Sequence, residues 1–248
     1  LVPLMAKSFP AVDVIAQPTY KKDFDSTNHK EFGSNSYDRH IPLVELFLMI
    51  NQSLDRFITV PPFLAINDKW AQELRRELEK VQPGKKIVGL HWSSSVNDPV
   101  RARAFLIDDD LAVLSRLNDE VIFVNFNYAA DEAEVERLRR EIGLNIISIS
   151  GIDHKEQVME ATALMRACDF VMGVTGSVTW QAMYVGVPTI LVEFSSNPNA
   201  GFPCPTYTNN FKRVLGVVGH KKETVNHLVD NFAEVISWAR KVYFHPKS

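Results

Sequence analysis

Cysteine is almost absent: Cys168 and Cys204 are the only two thiols in 248 residues. Two cysteines cannot build a disulfide framework or a four-cysteine zinc site. No signal-peptide pattern opens the chain, so a reducing, cytoplasmic setting is expected. No apolar run reaches the roughly 18 residues of a membrane-spanning helix. Neither sign of charge dominates, with 27 Lys and Arg against 30 Asp and Glu and a net charge of -3. A protein that grips a polyanion by bulk electrostatics is basic, so nucleic acid is not an expected partner. The 7 histidines never form a His-x-x-x-His pair, and no metal site is expected. Three catalytic signatures are also missing: the Gly-x-Ser-x-Gly elbow, the Gly-x-Gly-x-x-Gly turn and the Walker loop. Their absence removes support for serine hydrolysis, a dinucleotide dehydrogenase and a P-loop enzyme.

What is present is ordinary globular composition, 46% hydrophobic and 23% charged. The length fits one large domain or two small ones. Leu1, Leu4 and Met5 have helical spacing and Pro10 stops the run. The chain thus opens on a helix already under way, and a longer protein with groups upstream of Leu1 is expected. Val12 to Ala16 reads as a short strand. Residues 17–40 are polar and read as a long loop, and residues 41–50 as a short apolar helix. Pro61 and Pro62 mark a break, with a linker near residues 59–66. Asp68 is expected to cap a helix reaching about Lys80, with Trp70, Ala71, Leu74 and Leu78 on its apolar stripe.

After Pro83-Gly84 the pattern changes. Apolar runs at Ile87–Leu90, Val121–Phe126, Ile146–Ile149, Phe170–Val174 and Thr189–Val192 alternate with helical patterns near 109–117, 131–142, 155–166 and 178–185. Strand–helix alternation of this kind predicts a parallel sheet covered on both faces, a doubly wound α/β domain. A Pro-rich loop at 201–207 precedes a long helix over 224–244, with Val225, Leu228, Val229, Phe232, Val235, Ile236 and Ala239 as its buried stripe.

Ligands of such sheets sit beyond the carboxyl ends of the strands. The first run is followed by His91-Trp92-Ser93-Ser94-Ser95 and a polar loop with Arg101 and Arg103. Hydroxyls beside guanidinium forks suit phosphate oxygens, each charge-assisted bond contributing about 1.5–3 kcal/mol. A solvated surface loop is the alternative. Asn127 and Tyr128 follow the second run, placed to meet a base or sugar, or to close a turn. Thr175-Gly176-Ser177 follows the fourth run. A glycine there lets backbone approach a ligand, and the new helix presents free N–H groups and about half a positive charge. Ser177 or Thr175 can equally serve as the helix cap. Glu193 after the fifth run can accept hydrogen bonds from a ribose diol or stand in solvent. Asp108, Asp109 and Asp110 read as a helix start complementing its dipole, and Cys168 as core.

KKIVGLHWSSS, the arginine loop, VIFVNFNY and DFVMGVTGSVTWQAMYVGVPTILVEF, in that order, resemble the C-terminal nucleotide-sugar domain of GT-B glycosyltransferases. The likeness is to glycosyltransferase family 9, the heptosyltransferases, and to related domains that follow tetratricopeptide repeats in bacterial proteins. The opening LVPLMAKSFPAVDVIA resembles the end of the N-terminal half of those repeat-associated domains. The resemblance covers most of the chain and is strongest from Lys85 to Phe194. It implies a GT-B-like α/β fold: residues 1–65 as the end of an incomplete acceptor-side Rossmann-like lobe, 66–220 as the nucleotide-sugar-binding Rossmann-like lobe, and 221–248 as a helix packing back across the cleft. It implies Ser93, Ser94, Ser95, Arg101 and Arg103 facing the diphosphate, Asn127 and Tyr128 near the nucleotide, and Thr175, Gly176 and Ser177 near the sugar or diphosphate.

The family's turn usually reads Val-Asp-Thr, with a histidine five residues after the aspartate. Here Val174, Thr175 and Gly176 occupy the turn and Trp180 stands in the histidine's place. Binding therefore carries over better than catalysis, and no catalytic residue is assigned. The expected function is transfer of a sugar from a nucleotide diphosphate to an acceptor hydroxyl, with no cofactor beyond the nucleotide-sugar substrate and no metal. The acceptor, whether glycan, lipid-linked or protein, is left open. A noncatalytic binding or assembly module is the first alternative. An epimerase, needing cleft acids such as Glu193 or Asp153, is the second.

Overall fold

The structure is a computed structural model, and it describes residues 2–14, 64–93, 105–154, 156–174, 176–192 and 221–237. The polar stretch 17–40, the helix expected at 41–50, the break at Pro61 and Pro62, the Pro-rich loop and residues 238–244 lie outside them.

Five short apolar runs become five parallel strands: β1 (Lys86–His91), β2 (Val121–Asn125), β3 (Ile146–Ile147), β4 (Phe170–Gly173) and β5 (Thr189–Leu191). Their order in the sheet is β3-β2-β1-β4-β5. Val88 sits at the centre, in register with Phe123 on one side and Phe170 on the other. All of β2 and β4 is buried. That is why these strands read as continuous apolar runs and not as alternating ones: both faces are covered.

Alternation survives in which layer each side chain joins. Val88, Leu90, Phe123, Phe170 and Met172 join one core, which α3 (Asp108–Leu114), α4 (Glu132–Arg137) and α7 (Lys221–Asp230) cover. Ile87, Ile122, Val124 and Val171 join the other, beneath α2 (Asp68–Val81), α5 (Val158–Ala167) and α6 (Ser177–Tyr184). The helix α1 (Val2–Ser8) adds the fully buried Leu4 to this second core. The Ser8 hydroxyl donates to the Leu4 carbonyl (2.7 Å) and accepts from the Ala65 N–H (2.8 Å), tying α1 to the chain that enters α2. The chain is thus a doubly wound, Rossmann-like α/β fold. The connections from β1 to β3 lie on one face and those from β3 to β5 on the other.

Several boundaries differ from the sequence reading. The cap of α2 is Asn67, whose side chain accepts from the Trp70 N–H, one residue before the expected Asp68. The strand expected from Val12 does not form over residues 12–14. The Val12 N–H bonds back to the Phe9 carbonyl (2.9 Å) around Pro10, and Val12 is exposed. The helix expected over 131–142 is α4, capped by Asp131, followed by a wider turn at Leu138–Ile142 that ends at Gly143 with φ of 73°. The last helix begins earlier than expected, at Lys221, and after a turn at Asn231 resumes over 232–237. It packs on α3; Arg116, in the turn just after α3, meets Asp230 and Asn226, and Phe170 of β4 meets Phe232 edge-on at 5.7 Å.

The amino ends of the strands are closed by polar brackets. The Gln82 and Asn145 amides bond reciprocally at 2.7 Å, and Asn145 also donates to the Val121 carbonyl. The Asp169 carboxylate accepts from the Ile87 N–H (2.8 Å) and pairs with Arg75. No helix of the described residues is long and apolar enough to cross a membrane.

Candidate functional site

Successive connections change face between β1 and β4, so the crevice of this sheet opens at the carboxyl ends of those two strands. The two exits are locked together. The Val174 N–H donates to the His91 carbonyl (2.9 Å), and the Val192 N–H donates to the Gly173 carbonyl (2.8 Å). Gly173 is required by this approach, because a Cβ there would lie 2.2 Å from the His91 carbonyl oxygen. On the β1 side, Trp92 is buried in the first core and its carbonyl accepts from the Leu106 N–H, so the base of the loop between them is pinned shut.

A polar ladder crosses the ends of β1, β2 and β3. The Asn127 side chain donates to the Ser93 hydroxyl (2.9 Å) and accepts from the Ser93 N–H (3.2 Å). The Asn127 N–H in turn donates to Asn125 Oδ1 (2.7 Å), and Asn125 reaches Ser148 (3.3 Å). Asn127 is buried. Both ends of its amide are therefore engaged in holding the β1 exit against the β2 exit.

The turn into α6 is sewn by a residue that the sequence reading passed over. The cap position is Gly176, and Thr179, three residues on, carries the hydrogen bonds. The Thr179 hydroxyl accepts from the Gly176 N–H (3.2 Å) and lies 2.9 Å from the Gly176 carbonyl. Ser177 is exposed at the first helical position. The first N–H groups of an α-helix lack intrahelical acceptors, so this end of α6 is electropositive and faces the crevice.

His91 is the second residue missed. It ends β1, is 1% exposed, and Nδ1 has no hydrogen-bond partner among the described residues. Its ring stacks near Tyr128, with centroids 6.2 Å apart at 24°. Nε2 lies against Gly176, where a Cβ would stand only 2.7 Å away. Burial pushes the imidazole pKa down to about 4, opposed by the Phe126 backbone, so the ring is neutral near pH 7. His154, packed on Phe126 with centroids 5.1 Å apart, is lowered by the same cause. The only sequence signal for His91 was its place, a polar residue closing an apolar run.

Five of the expected site residues are therefore placed around one crevice: Ser93, Asn127, Tyr128, Gly176 and Ser177. Ser94, Ser95, Arg101, Arg103, Thr175 and Glu193 lie outside the described residues. Asp153, weighed for acid chemistry, is exposed and accepts from the Glu156 N–H ahead of α5. The acidic triplet starts α3 as expected. Asp110 accepts from the Ile107 N–H, and Asp108 meets Arg137 through two bonds of 2.9 Å. Cys168 is buried, with its thiol pKa pushed up by burial. Among the described residues no group of three His, Cys, Asp or Glu side chains is arranged to hold a metal.

The chain matches no protein-family model. It is 28% identical over 203 residues to Protein FlbA of Caulobacter vibrioides, covering 79% of this chain and 33% of that protein. The chain thus spans about a third of the length of that relative. Among solved structures it is similar to a glycosyl transferase family 9 protein from Veillonella parvula, at 17% identity and a TM-score of 0.47 over 70% of this chain and 52% of that one. It is also similar to WaaG, a glycosyltransferase involved in lipopolysaccharide biosynthesis (14%, TM-score 0.42, 76% and 51% covered). A third is the wall teichoic acid polymerase TagF (14%, TM-score 0.39, 71% and 43% covered).

Proposed function

We propose that this chain is the donor-binding part of a GT-B-type glycosyltransferase, holding a nucleotide-diphosphate sugar for transfer to an acceptor hydroxyl. The observation that carries the reading is the crevice at the reversal of the sheet, where the start of α6 at Gly176 meets the exit of β1 at His91 and Ser93. A diphosphate placed there meets helix N–H groups on one side, and Arg101 and Arg103, which follow Ser93 in the sequence, are the cations that would pair with it. In transfer, negative charge grows on the departing diphosphate, and fixed donors stabilise it without a metal. The acceptor proton goes to a base, which belongs to the part of the protein that contributes the acceptor side. The work is carried out in a bacterial cytoplasm, beside tetratricopeptide repeats in the whole protein.

Calorimetric titration with nucleoside diphosphates and their sugar conjugates tests the reading. Selective binding of one nucleotide is expected, and Arg103→Ala should weaken it about 10- to 150-fold, the worth of one charge-assisted bond. Undiminished affinity in that variant would remove Arg103 from the site. A second reading, a noncatalytic module of the same fold, is favoured by Thr175 and Trp180 standing where the resembled family carries aspartate and histidine. Donor hydrolysis by the whole protein would exclude it.

A further inference from the structure

A buried imidazole with an orphan nitrogen is an unusual choice for the end of a central strand. A core position of this shape takes leucine or phenylalanine at no cost in desolvated polar atoms. Yet the surroundings are cut to fit the imidazole. Gly176 is bare where a Cβ would stand 2.7 Å from Nε2, while Gly173 makes room for the strand itself, meeting the carbonyl and Cβ of His91. Tyr128 covers the ring from the β2 side. The ring therefore fills the space between the end of β1 and the cap of α6. Nearby, His154 is half-buried, and its Nδ1 is likewise without a partner among the described residues. His154 packs on Phe126, whose ring edge in turn fills the space left by Gly89 on the same strand as His91.

We propose that His91 is a positioning residue of the crevice, its ring seated beneath Gly176 so as to set the first turn of α6 for a phosphate group, with Nε2, the ring nitrogen set against Gly176, bonding the ligand when it docks. The inference rests on the donor-site reading for the identity of the ligand, but not for the placement of α6. Shape and polarity make separable contributions. The filled volume holds the turn, and the nitrogen adds a bond that forms in the occupied state.

The test uses the 248-residue chain with uridine, adenosine, guanosine and cytidine diphosphates as probes. Three readouts are taken on wild type, His91→Ala, His91→Phe and His91→Gln: amide hydrogen exchange in α6, nucleotide affinity, and the imidazole nitrogen resonances of wild type. His91→Ala should raise exchange at Trp180, whose N–H bonds the Gly176 carbonyl, by tenfold or more while leaving α5 unchanged. His91→Phe should restore that protection yet bind the nucleotide at least tenfold more weakly. His91→Gln should bind within about threefold of wild type, a difference of under 1 kcal/mol. Saturating nucleotide should shift the His91 nitrogen resonances. Unchanged exchange in His91→Ala, or full affinity in His91→Phe, overturns the proposal. If wild type binds none of the four probes, the donor reading falls, and exchange alone then decides whether His91 positions α6.

Discussion

At the scale of single residues, His91 makes the folded protein sensitive to acid. An ordinary histidine titrates near 6.5, and burial pushes this one down to about 4. As pH falls below 6.5, the unfolded chain takes up a proton that the folded chain refuses until pH nears 4. The unfolded state then binds more protons, so stability drops as pH drops. The contribution is whole above pH 6.5 and is lost on the way down to about pH 4, in total about 3 kcal/mol. His154, lowered by burial as well, acts in the same direction. Urea unfolding at pH 7.5 and 4.5 should show wild type losing stability across that interval and His91→Leu losing much less. Equal pH dependence in the two proteins would place the acid sensitivity elsewhere.

Asn127 shows how a residue can be read to the right place and still have its job decided by the fold. The sequence puts it after a buried strand, where ligand contacts occur. The register of β1 with β2 then brings Ser93 within reach of its amide, and both ends are taken. Thr179 is the converse case. Nothing in its one-dimensional setting marks it out, yet the turn closes on its hydroxyl because Gly176 has no side chain with which to cap α6.

At the scale of elements, two glycines separate the local cost of a side chain from the tertiary one. Gly143 ends the turn after α4 with φ of 73°, and a Cβ there would meet nothing within 4 Å. Gly143→Ala thus costs only the left-handed backbone, about 1 kcal/mol. Gly173→Ala drives a methyl into the His91 carbonyl, where no flexible atom can move aside. It breaks the pairing of β1 with β4 at its last rung. Thermal unfolding by circular dichroism should find Gly143→Ala folded with a Tm lowered by a few degrees, and Gly173→Ala unfolded or insoluble. A Gly173→Ala protein melting like wild type would mean that the two exits are not held as described. The strands were legible in the sequence because burial on both faces left each as an unbroken apolar run. Helix ends were less legible, since caps such as Asn67 compete with equally good neighbours such as Asp68, and the approach angle of the chain chooses between them.

At the scale of the whole molecule, α1 belongs to the second core, although residues 9–67 of the chain separate it from α2. Leu4 is fully buried there, and Leu64 lies in the same core, its N–H bonded to the Tyr184 carbonyl at the end of α6. Leu4→Ala should therefore cost about 3 kcal/mol, the usual toll of emptying a leucine site that cannot collapse. Denaturant unfolding checks this. A midpoint unchanged from wild type would make α1 an appendage and not part of the core.

The sequence by itself determined the fold class, the five strand positions and the sides from which ligand groups could come, because burial and periodicity are written locally along the chain. Only the tertiary structure decided which of those groups meet. The exchange of β1 for β4 at the reversal of the sheet brings Gly173, Gly176 and His91 into one space, and no spacing along the chain encodes that contact. Contacts between strands depend on register and on which glycine is left bare beneath a neighbour's side chain, and those are properties of packing.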